Sequence, residues 1–216
     1  MLALDQLLAF TVTAILLTAT PGPDNLMVLG VGMSKGRPCG IAFGLGCAAG
    51  CLSHTLLAVI GVSAVIAASP LAFTLLKVAG GLYLIWLGIG ALRSNGSLPA
   101  DGADGDSSEE MSQGRLTTGQ YFFKGMVANA INPKVVLFFL SFLPQFIRPE
   151  QGSVPGQMAA LGVVFSFQAA VLFGLLAHFA GTVGGWLARR PRAGAWLDRV
   201  AGTVFVALGV RMVFSR

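Results

Sequence analysis

The chain has 216 residues, of which 55% are hydrophobic and 11% are charged. Roughly a quarter of the residues in a soluble domain are charged, so this composition excludes an ordinary water-soluble fold. A transmembrane helix needs about 20 apolar residues, and the length leaves room for about six such helices without a separate soluble domain. The net charge of +5 does not indicate a nucleic-acid partner, because the basic residues are scattered at the ends of apolar segments.

Six apolar segments, bounded by charged residues, Gly or Pro, are predicted to span the membrane. The first has no basic residue before it and continues past any plausible cleavage site, so we expect a retained helix rather than a signal peptide. The three cysteines are an odd number and do not indicate a disulfide framework. The predicted spans cover residues 5–31, 39–67, 70–92, 120–147, 154–188 and 194–214.

A polar, Gly-rich and acidic segment at residues 95–119 separates the third span from the fourth. Because such a composition cannot bury a hydrophobic core, we predict a flexible linker. The linker divides the chain into two halves of three spans each, residues 1–94 and residues 120–216.

Two observations indicate that the halves are repeats. The third span contains KVAGGLY at residues 77–83, and the sixth contains RVAGTVF at residues 199–205. Proline interrupts the first span of each half, at Pro21 and Pro23 and again at Pro133. Halves with an odd number of spans have opposite orientations, as in many secondary transporters. The predicted fold is an all-α membrane protein of six transmembrane helices in two inverted three-helix repeats, with proline-broken first and fourth helices.

The basic residues also predict the orientation of the chain in the membrane. With the N-terminus outside, nine basic residues fall in cytoplasmic loops and four on the exterior, which favours both termini outside and a cytoplasmic linker. The cytoplasmic set is Lys35, Arg37, Arg93, Arg115, Lys124, Arg189, Arg190, Arg192 and Arg199, and the exterior set is Lys77, Arg148, Arg211 and Arg216.

The sequence ATPGPDNLMVL in the first span contains an unusual polar cluster. Pro21 and Pro23, with Gly22 between them, predict a helix break at membrane depth, which is tolerated only beside protein or water. Asp24 and Asn25 follow where a second half-helix would begin, and both residue types suit a helix N-cap. The cluster is either the cap of an interfacial helix or a binding site. We favour a binding site, since a carboxylate within a span is costly.

The fourth span contains a second cluster of candidate substrate-binding residues, in the sequence NAINPKVVLFFLSFLPQF: Asn129, Asn132, Pro133 and Lys134. Asn132 precedes Pro133 and is biased away from helical geometry, while Lys134 is a full charge within the span. Lys134 either extends to the nearer membrane surface or lies beside Asp24 between the repeats. In the second case the two side chains would bind the carboxylate and the ammonium of an amino acid.

Glycines in the second span have the spacing that allows helices to approach closely. The pairs are Gly40 with Gly44 and Gly46 with Gly50. This spacing is a packing signal, and it also permits a homodimer.

Cys47, Cys51 and His54 lie along one stripe of the predicted second helix. The stripe would either bind a soft metal ion or pack against another helix. We favour packing and predict no metal site.

Four residues are candidates for proton coupling: Asp24, His54, Gln168 and His178. A buried imidazole titrates near neutral pH, which suits His54 for this role. The alternative is that the polar side chains of the second and fifth spans only form hydrogen bonds between helices.

The sequence contains no signature of a soluble enzyme. A phosphate-binding loop, a dinucleotide fingerprint, paired histidine ligands one turn apart and a nucleophile elbow are all missing. We therefore expect neither catalysis nor a cofactor.

Several of these stretches together resemble the LysE/RhtB superfamily of amino-acid exporters, and especially its homoserine/threonine resistance branch. They are PGPDN at residues 21–25, the Gly36, Arg37 and Gly40 that follow, and GMVANAINPKVVLFFLSFLPQF at residues 125–146. The similarity covers essentially the whole chain, including VAGGLYLIWLG in the third span.

The resemblance implies a bacterial inner-membrane protein that exports amino acids, in exchange for protons. The expected partners are the substrate, protons and the lipid bilayer. Some relatives have a carboxylate where this chain has His54 or Gln168, which argues against a cationic substrate and favours threonine, homoserine, its lactone or leucine. By position, the first motif matches Pro21, Gly22, Pro23, Asp24 and Asn25, and the second matches Asn132, Pro133 and Lys134.

The expected mechanism is alternating access around the two broken helices. Half-helix amides and Lys134 would bind the substrate carboxylate, and Asp24 with Asn25 its ammonium. Asp24 would alternatively gate the cytoplasmic end of the pathway. Two other functions stay open: export of a soft metal such as cadmium, and a non-transporting membrane subunit that recruits a partner.

Overall fold

The computed structural model describes residues 2–20, 22–62, 69–94, 116–189 and 191–214, and these residues contain helices and no strand. A π-helical turn, Ala58–Val62, continues α3, and a second one, Phe138–Phe142, continues α6 into the 3-10 turn Leu143–Phe146. The helices are α1 Leu4–Ala19, α2 Pro23–Ser34, α3 Arg37–Leu57, α4 Pro70–Arg93, α5 Thr118–Ala130, α6 Pro133–Leu137, α7 Val154–His178, α8 Ala180–Arg189 and α9 Pro191–Phe214.

Two helical segments in the described part of the chain are long and apolar enough to cross a membrane by themselves, Arg37–Gly61 and Val154–His178. Two bent pairs also qualify if each pair is one span: α1 with α2, and α5 with Pro133–Phe146. The all-α membrane fold is confirmed. The six-span inverted repeat stays a prediction, and most of the expected linker, residues 95–115, lies outside the described residues.

Both expected helix breaks are present. The α1 helix ends at Ala19, and α2 begins with Pro23 as its first residue after an extended Gly22, so that the two helices meet at 56°. The second bend, of 52°, lies between α5 and α6, where Pro133 again begins the helix after an extended Asn132. Proline is favourable at the first helical position because it lacks the amide hydrogen that would be unpaired there. Pro21 lies outside the described residues.

The glycines of α3 bring its backbone against α5. A methyl group on Gly46 would overlap the carbonyl oxygen of Phe122, and one on Gly125 would overlap that of Phe43. A methyl group on Gly50 would lie 2.9 Å from the Asn129 side chain. Glycines predicted to permit a homodimer are therefore used for contacts within the chain, and they hold the end of α5 against α3.

The α4 and α9 helices, which carry the two similar motifs, also meet through glycine. A methyl group on Gly88 would lie 2.7 Å from the carbonyl oxygen of Gly202, and one on Gly202 would lie 2.6 Å from that of Gly88. In addition, α4 contacts the π-helical turn Phe138–Phe142, and α9 contacts α1.

The fifth predicted span differs from the structure. Residues 154–188 were expected to form one helix, but the helix ends at His178 and α8 begins at Ala180. The α8 helix turns aside to pack against α2, where Gly184 touches Met33. A single helix of this length would exceed the thickness of the bilayer.

Polar and aromatic side chains fill the end of the molecule where α1 begins. The Gln6 amide donates to Gln157 Oε1 at 2.9 Å and to the carbonyl oxygen of Phe146, and Gln157 donates to the carbonyl oxygen of Arg148 at 2.8 Å. Asp5 forms an exposed ion pair with Arg148, which raises the pKa of the Arg148 guanidinium. An aromatic cluster lies beneath this network, formed by Phe10, Phe138, Phe142, Phe146 and Phe165.

Candidate functional site

The two helix breaks face one another across a cavity that α3 and α7 complete. About 330 Å³ of empty space lies among its lining residues when the open side is included. The space that water molecules can occupy within it is much smaller and holds roughly one or two of them. The lining residues are Leu17, Thr18, Gly22, Pro23, Asp24, Asn25, Cys51, Asn129, Asn132, Lys134, Val135, Phe165 and Phe173.

Asp24 occupies the first turn of α2, and its side chain is only 5% exposed. Asn129, in the last turn of α5, donates from Nδ2 to Asp24 Oδ2 at 2.7 Å. A carboxylate from one broken helix is thus held by an amide from the other.

His54 on α3 reaches the same asparagine. Its Nε2 lies 3.0 Å from the carbonyl oxygen of Asn129. Because a carbonyl oxygen only accepts, Nε2 must carry the hydrogen. The imidazole is 2% exposed, and its Nδ1 has no hydrogen-bond partner among the described residues. Asp24 and His54 are therefore linked through one residue, and His54 keeps a nitrogen that is able to accept a proton.

Lys134 points into the protein rather than to a membrane surface. Its Nζ donates to the carbonyl oxygen of Thr20 at 3.0 Å, a group left free where α1 ends. The ammonium also lies 5.2 Å from the ring centroid of Phe205 on α9, within range of a cation–π interaction. A methyl group on Gly22 would lie 3.1 Å from Nζ. Because glycine has no side chain, the Lys134 ammonium can pack against the backbone at this position.

Asp24 and Lys134 line the same cavity but have different partners. Asp24 is bound by Asn129, and Lys134 by the carbonyl oxygen of Thr20. The structure records no direct ion pair between these two described side chains. The cavity therefore presents one acidic and one basic group that do not neutralise each other by contact.

Asn25 and Asn132, expected to bind substrate, hold the helix breaks. Asn25 donates from Nδ2 to the carbonyl oxygens of Thr18 and Thr20, at 2.9 and 3.3 Å. Asn132 caps α6, because its Oδ1 accepts from the backbone amide of Lys134 at 3.0 Å. These contacts satisfy backbone groups that a broken helix leaves free at membrane depth.

The two candidates on α7 lie in different surroundings. Gln168 is buried and donates from Nε2 to Thr18 Oγ1 at 2.8 Å, next to the cavity. His178 is exposed at the end of α7, with its ring 4.8 Å from that of Phe179, and does not line the cavity. Pro133 is exposed and acts by starting α6.

Sequence reasoning missed three contributors to the site: Thr18, the carbonyl group of Thr20, and Phe205. Phe205 is the aromatic residue that ends RVAGTVF, and this motif was the only signal that marked it. Thr18 and Thr20 are common residue types in membrane helices, so nothing in their identity indicated a role.

The cysteines are used in packing. Cys47 is buried in the core, and the Cys51 thiol lies 3.5 Å from both Asn129 Oδ1 and the carbonyl oxygen of Cys47. Within the described part of the chain, no three His, Cys, Asp or Glu residues are grouped so that they could hold a metal ion. The soft-metal alternative gains no support from this geometry.

Comparison with known proteins identifies the family. The family model described as LysE type translocator matches residues 15–216. The chain belongs to the LysE-type translocator family. The family description indicates transport rather than catalysis, and the resemblance found in the two motifs is confirmed.

Named relatives of this translocator cover nearly its whole length. An uncharacterized membrane protein of Vibrio cholerae is 31% identical over 210 residues, covering 97% of each chain. A homoserine/homoserine lactone efflux protein of Salmonella typhimurium is 29% identical over 208 residues, covering 96% of each. A threonine efflux protein of Escherichia coli is 28% identical over 203 residues, covering 91% of this chain and 92% of the relative. No solved structure matches the translocator.

Proposed function

We propose that this translocator exports small neutral amino acids or their derivatives from the bacterial cytoplasm across the inner membrane, in exchange for protons. Threonine, homoserine and leucine are the expected substrates. Homoserine lactone, which has no free carboxylate, would be a substrate only if its ester carbonyl oxygen takes the place of the carboxylate at Lys134. The observation that carries the proposal is the cavity between the two helix breaks, where Asp24 and Lys134 face the same space without a direct ion pair. The printed names of the relatives, which concern threonine and homoserine efflux, agree with it.

A zwitterion suits this pair of charges. The substrate ammonium would bind Asp24, which Asn129 holds in place, and the substrate carboxylate would bind Lys134 and the free amides at the start of α2. Each buried charge would then gain a second partner, which offsets its desolvation. Asn25 and Asn132 act as positioning residues, because they hold the breaks from which Asp24 and Lys134 extend.

The remaining walls favour a neutral side chain. They include Leu17, Val135, Phe165 and Phe173, which are apolar. In the described part of the cavity wall, Asp24 is the only acidic residue. A lysine or arginine substrate would therefore leave its side-chain charge without a partner in a desolvated site.

The cavity must open before it can hold an amino acid, since the space it offers fits only about one or two water molecules. Alternating access provides this opening. Asp24 lies ten residues before the end of α2 at Ser34, which is about 15 Å along a helix, and this depth favours a binding role over a gate at the cytoplasmic end. With both termini outside, the cavity would open in turn toward the cytoplasm and the exterior.

Proton exchange would use Asp24 and His54. A proton on Asp24 removes the charge that holds the substrate ammonium, so protonation from the exterior promotes release. His54 is the second candidate because its Nε2 bonds Asn129, the residue that holds Asp24, and its Nδ1 has no hydrogen-bond partner among the described residues. Gln168 and His178 have no part in this route, because a glutamine amide does not titrate and His178 is exposed away from the cavity.

The experiment is efflux from cells preloaded with labelled threonine, homoserine, leucine or lysine, at acidic and alkaline external pH. The native chain should export at least one neutral substrate faster at acidic external pH. Asp24→Asn should lose this dependence, whereas Glu150→Gln, the same chemical change at an exposed position, should keep it. Export of lysine alone would contradict the neutral substrate class. Normal pH-dependent export by Asp24→Asn would contradict the role of Asp24.

A further inference from the structure

We infer that Thr18 and Gln168 form a subsite for a hydroxyl group on the substrate side chain, so that hydroxylated amino acids are preferred over apolar ones of the same size. The inference rests on the proposed function, because it assumes that an amino acid enters the cavity. It concerns a part of the wall that the binding of the ammonium and carboxylate does not use.

The geometry begins with the contact between α1 and α7. Gln168 donates from Nε2 to Thr18 Oγ1 at 2.8 Å, and Thr18 lines the cavity. Phe165 lies about one turn earlier on α7 and also lines the cavity. Gln168 itself does not line the cavity, and its amide lies behind the Thr18 hydroxyl, to which it is bonded.

The hydrogen-bonding capacity of this pair is incomplete. Because the Thr18 oxygen already accepts from Gln168, its own hydrogen is left to donate. Gln168 is 8% exposed, and its Oε1 is buried with no hydrogen-bond partner among the described residues. An unpaired polar atom in such surroundings is costly and calls for a ligand or water. The pair thus offers a donor at the cavity wall, the Thr18 hydroxyl, and an unpaired acceptor behind it, Gln168 Oε1. A substrate hydroxyl group would accept from the first and, once the cavity opens, donate to the second.

The other polar groups of the wall are already engaged. Asn129 binds Asp24 and Cys51, and Asn25 binds two carbonyl oxygens across the helix break. Asn132 caps α6. Once the substrate's charged groups occupy Asp24 and Lys134, the Thr18–Gln168 pair is the remaining polar surface for a side chain.

The test compares two substrates that differ only at the end of the side chain. Homoserine ends in a hydroxyl group, and norvaline has a methyl group in its place. Purified protein in proteoliposomes would exchange internal labelled substrate, and the ratio of homoserine to norvaline rates at equal low concentrations would be measured. This ratio does not depend on how much active protein each preparation contains.

The native chain should favour homoserine. Gln168→Met and Thr18→Val, which keep the approximate shape and remove the polar groups, should each lower the ratio about five- to tenfold, as expected for one lost hydrogen bond in a desolvated site. Ser166→Ala is the matched control, because Ser166 Oγ on the same helix is also buried and unpaired among the described residues but does not contact Thr18. It should leave the ratio unchanged.

Two results would overturn the subsite. The first is a homoserine-to-norvaline ratio that stays at the native value in both variants, even if the two rates of a variant fall by the same factor. Thr18 and Gln168 would then only hold α1 against α7. A native chain that exchanged neither homoserine nor norvaline, nor any other amino acid, would instead refute the proposed function, and the subsite with it.

Discussion

Asn129 contacts three buried side chains, of which Asp24 and Cys51 line the cavity and His54 lies behind it. Its Nδ2 binds Asp24, its Oδ1 lies 3.5 Å from the Cys51 thiol, and its carbonyl oxygen accepts from His54. Since the carboxylate can only accept, Nδ2 must face Asp24. One residue at the end of α5 therefore sets both the position of the acid and the orientation of the imidazole.

Changing Asn129 to Asp tests this arrangement with almost no change of shape. A second carboxylate would face Asp24 across a contact of 2.7 Å, so the two groups would have to share a proton. We expect the efflux rate to fall at least about tenfold, with insertion in the membrane unaffected. Efflux by Asn129→Asp at the native rate and with native pH dependence would contradict the role of Asn129.

Removing the thiols by Cys47→Ala with Cys51→Ala provides the comparison for Asn129→Asp. The thiol contact with Asn129 is weak, so efflux should stay within about twofold of native. Abolished activity in a folded double variant would instead favour a soft metal ion as the cargo.

The site was predictable from the sequence where a residue type is costly in a membrane. Asp24 and Lys134 were identified because a charged side chain within an apolar span is costly to bury and therefore indicates a function. Thr18 and Phe205 were not, since a threonine or phenylalanine fits almost anywhere in a membrane helix. The roles of Asn25 and Asn132 could not be predicted either, because a sequence does not show which backbone groups a helix break leaves free.

At the scale of the helices, close backbone contacts fix the walls of the site. The α3 and α5 helices touch through Gly46 and Gly125, without a side chain between them. The spacing of the glycines predicted close packing, but not its partner. Which helix meets α3 depends on how the chain turns in three dimensions, and a homodimer was equally compatible with the pattern.

Gly46→Ala should separate α3 from α5. Its methyl group would overlap the carbonyl oxygen of Phe122, a backbone atom that cannot move without its helix. We expect a loss of about 1–3 kcal/mol of stability, seen as a lower thermal unfolding midpoint of the purified protein. Gly174→Ala is the control, because nothing lies within 4 Å of the position its methyl group would occupy. Equal midpoints for the two variants would show that the α3–α5 contact is looser than described.

For the whole molecule, the sequence predicted the class of the fold better than its arrangement. Hydrophobicity and proline indicated membrane helices and two breaks, both of which are present. The end of α7 at His178 was not predicted, since apolar composition continues through α8. The inverted repeat stays a prediction, supported by the two breaks of similar angle and by the contact between α4 and α9.

The end of the molecule where α1 begins is closed by Gln6 and Gln157. Alternating access requires this end to open in each transport cycle. In a chain whose native cysteines are replaced by alanine, Gln6→Cys and Gln157→Cys should be joined by a short bifunctional methanethiosulfonate reagent, which can span the distance that the two glutamine side chains bridge. The crosslink should stop efflux, and a reductant that cleaves it should restore efflux.

Two controls accompany the crosslinking experiment. Gln6→Cys alone should keep its efflux after the same treatment, since it has no partner cysteine at this end. Full efflux by the completely crosslinked double variant would show that the substrate does not pass through this end.

The central claim is that Asp24 and Lys134 together bind the two charged groups of an amino acid. The most direct measurement is exchange in proteoliposomes of homoserine against two analogues, the amine that lacks its carboxylate and the hydroxy acid that lacks its amino group. The account predicts rapid exchange of homoserine alone, and loss of that exchange in both Asp24→Asn and Lys134→Met. Exchange of either analogue at the rate of homoserine, or native activity in either variant, would contradict it.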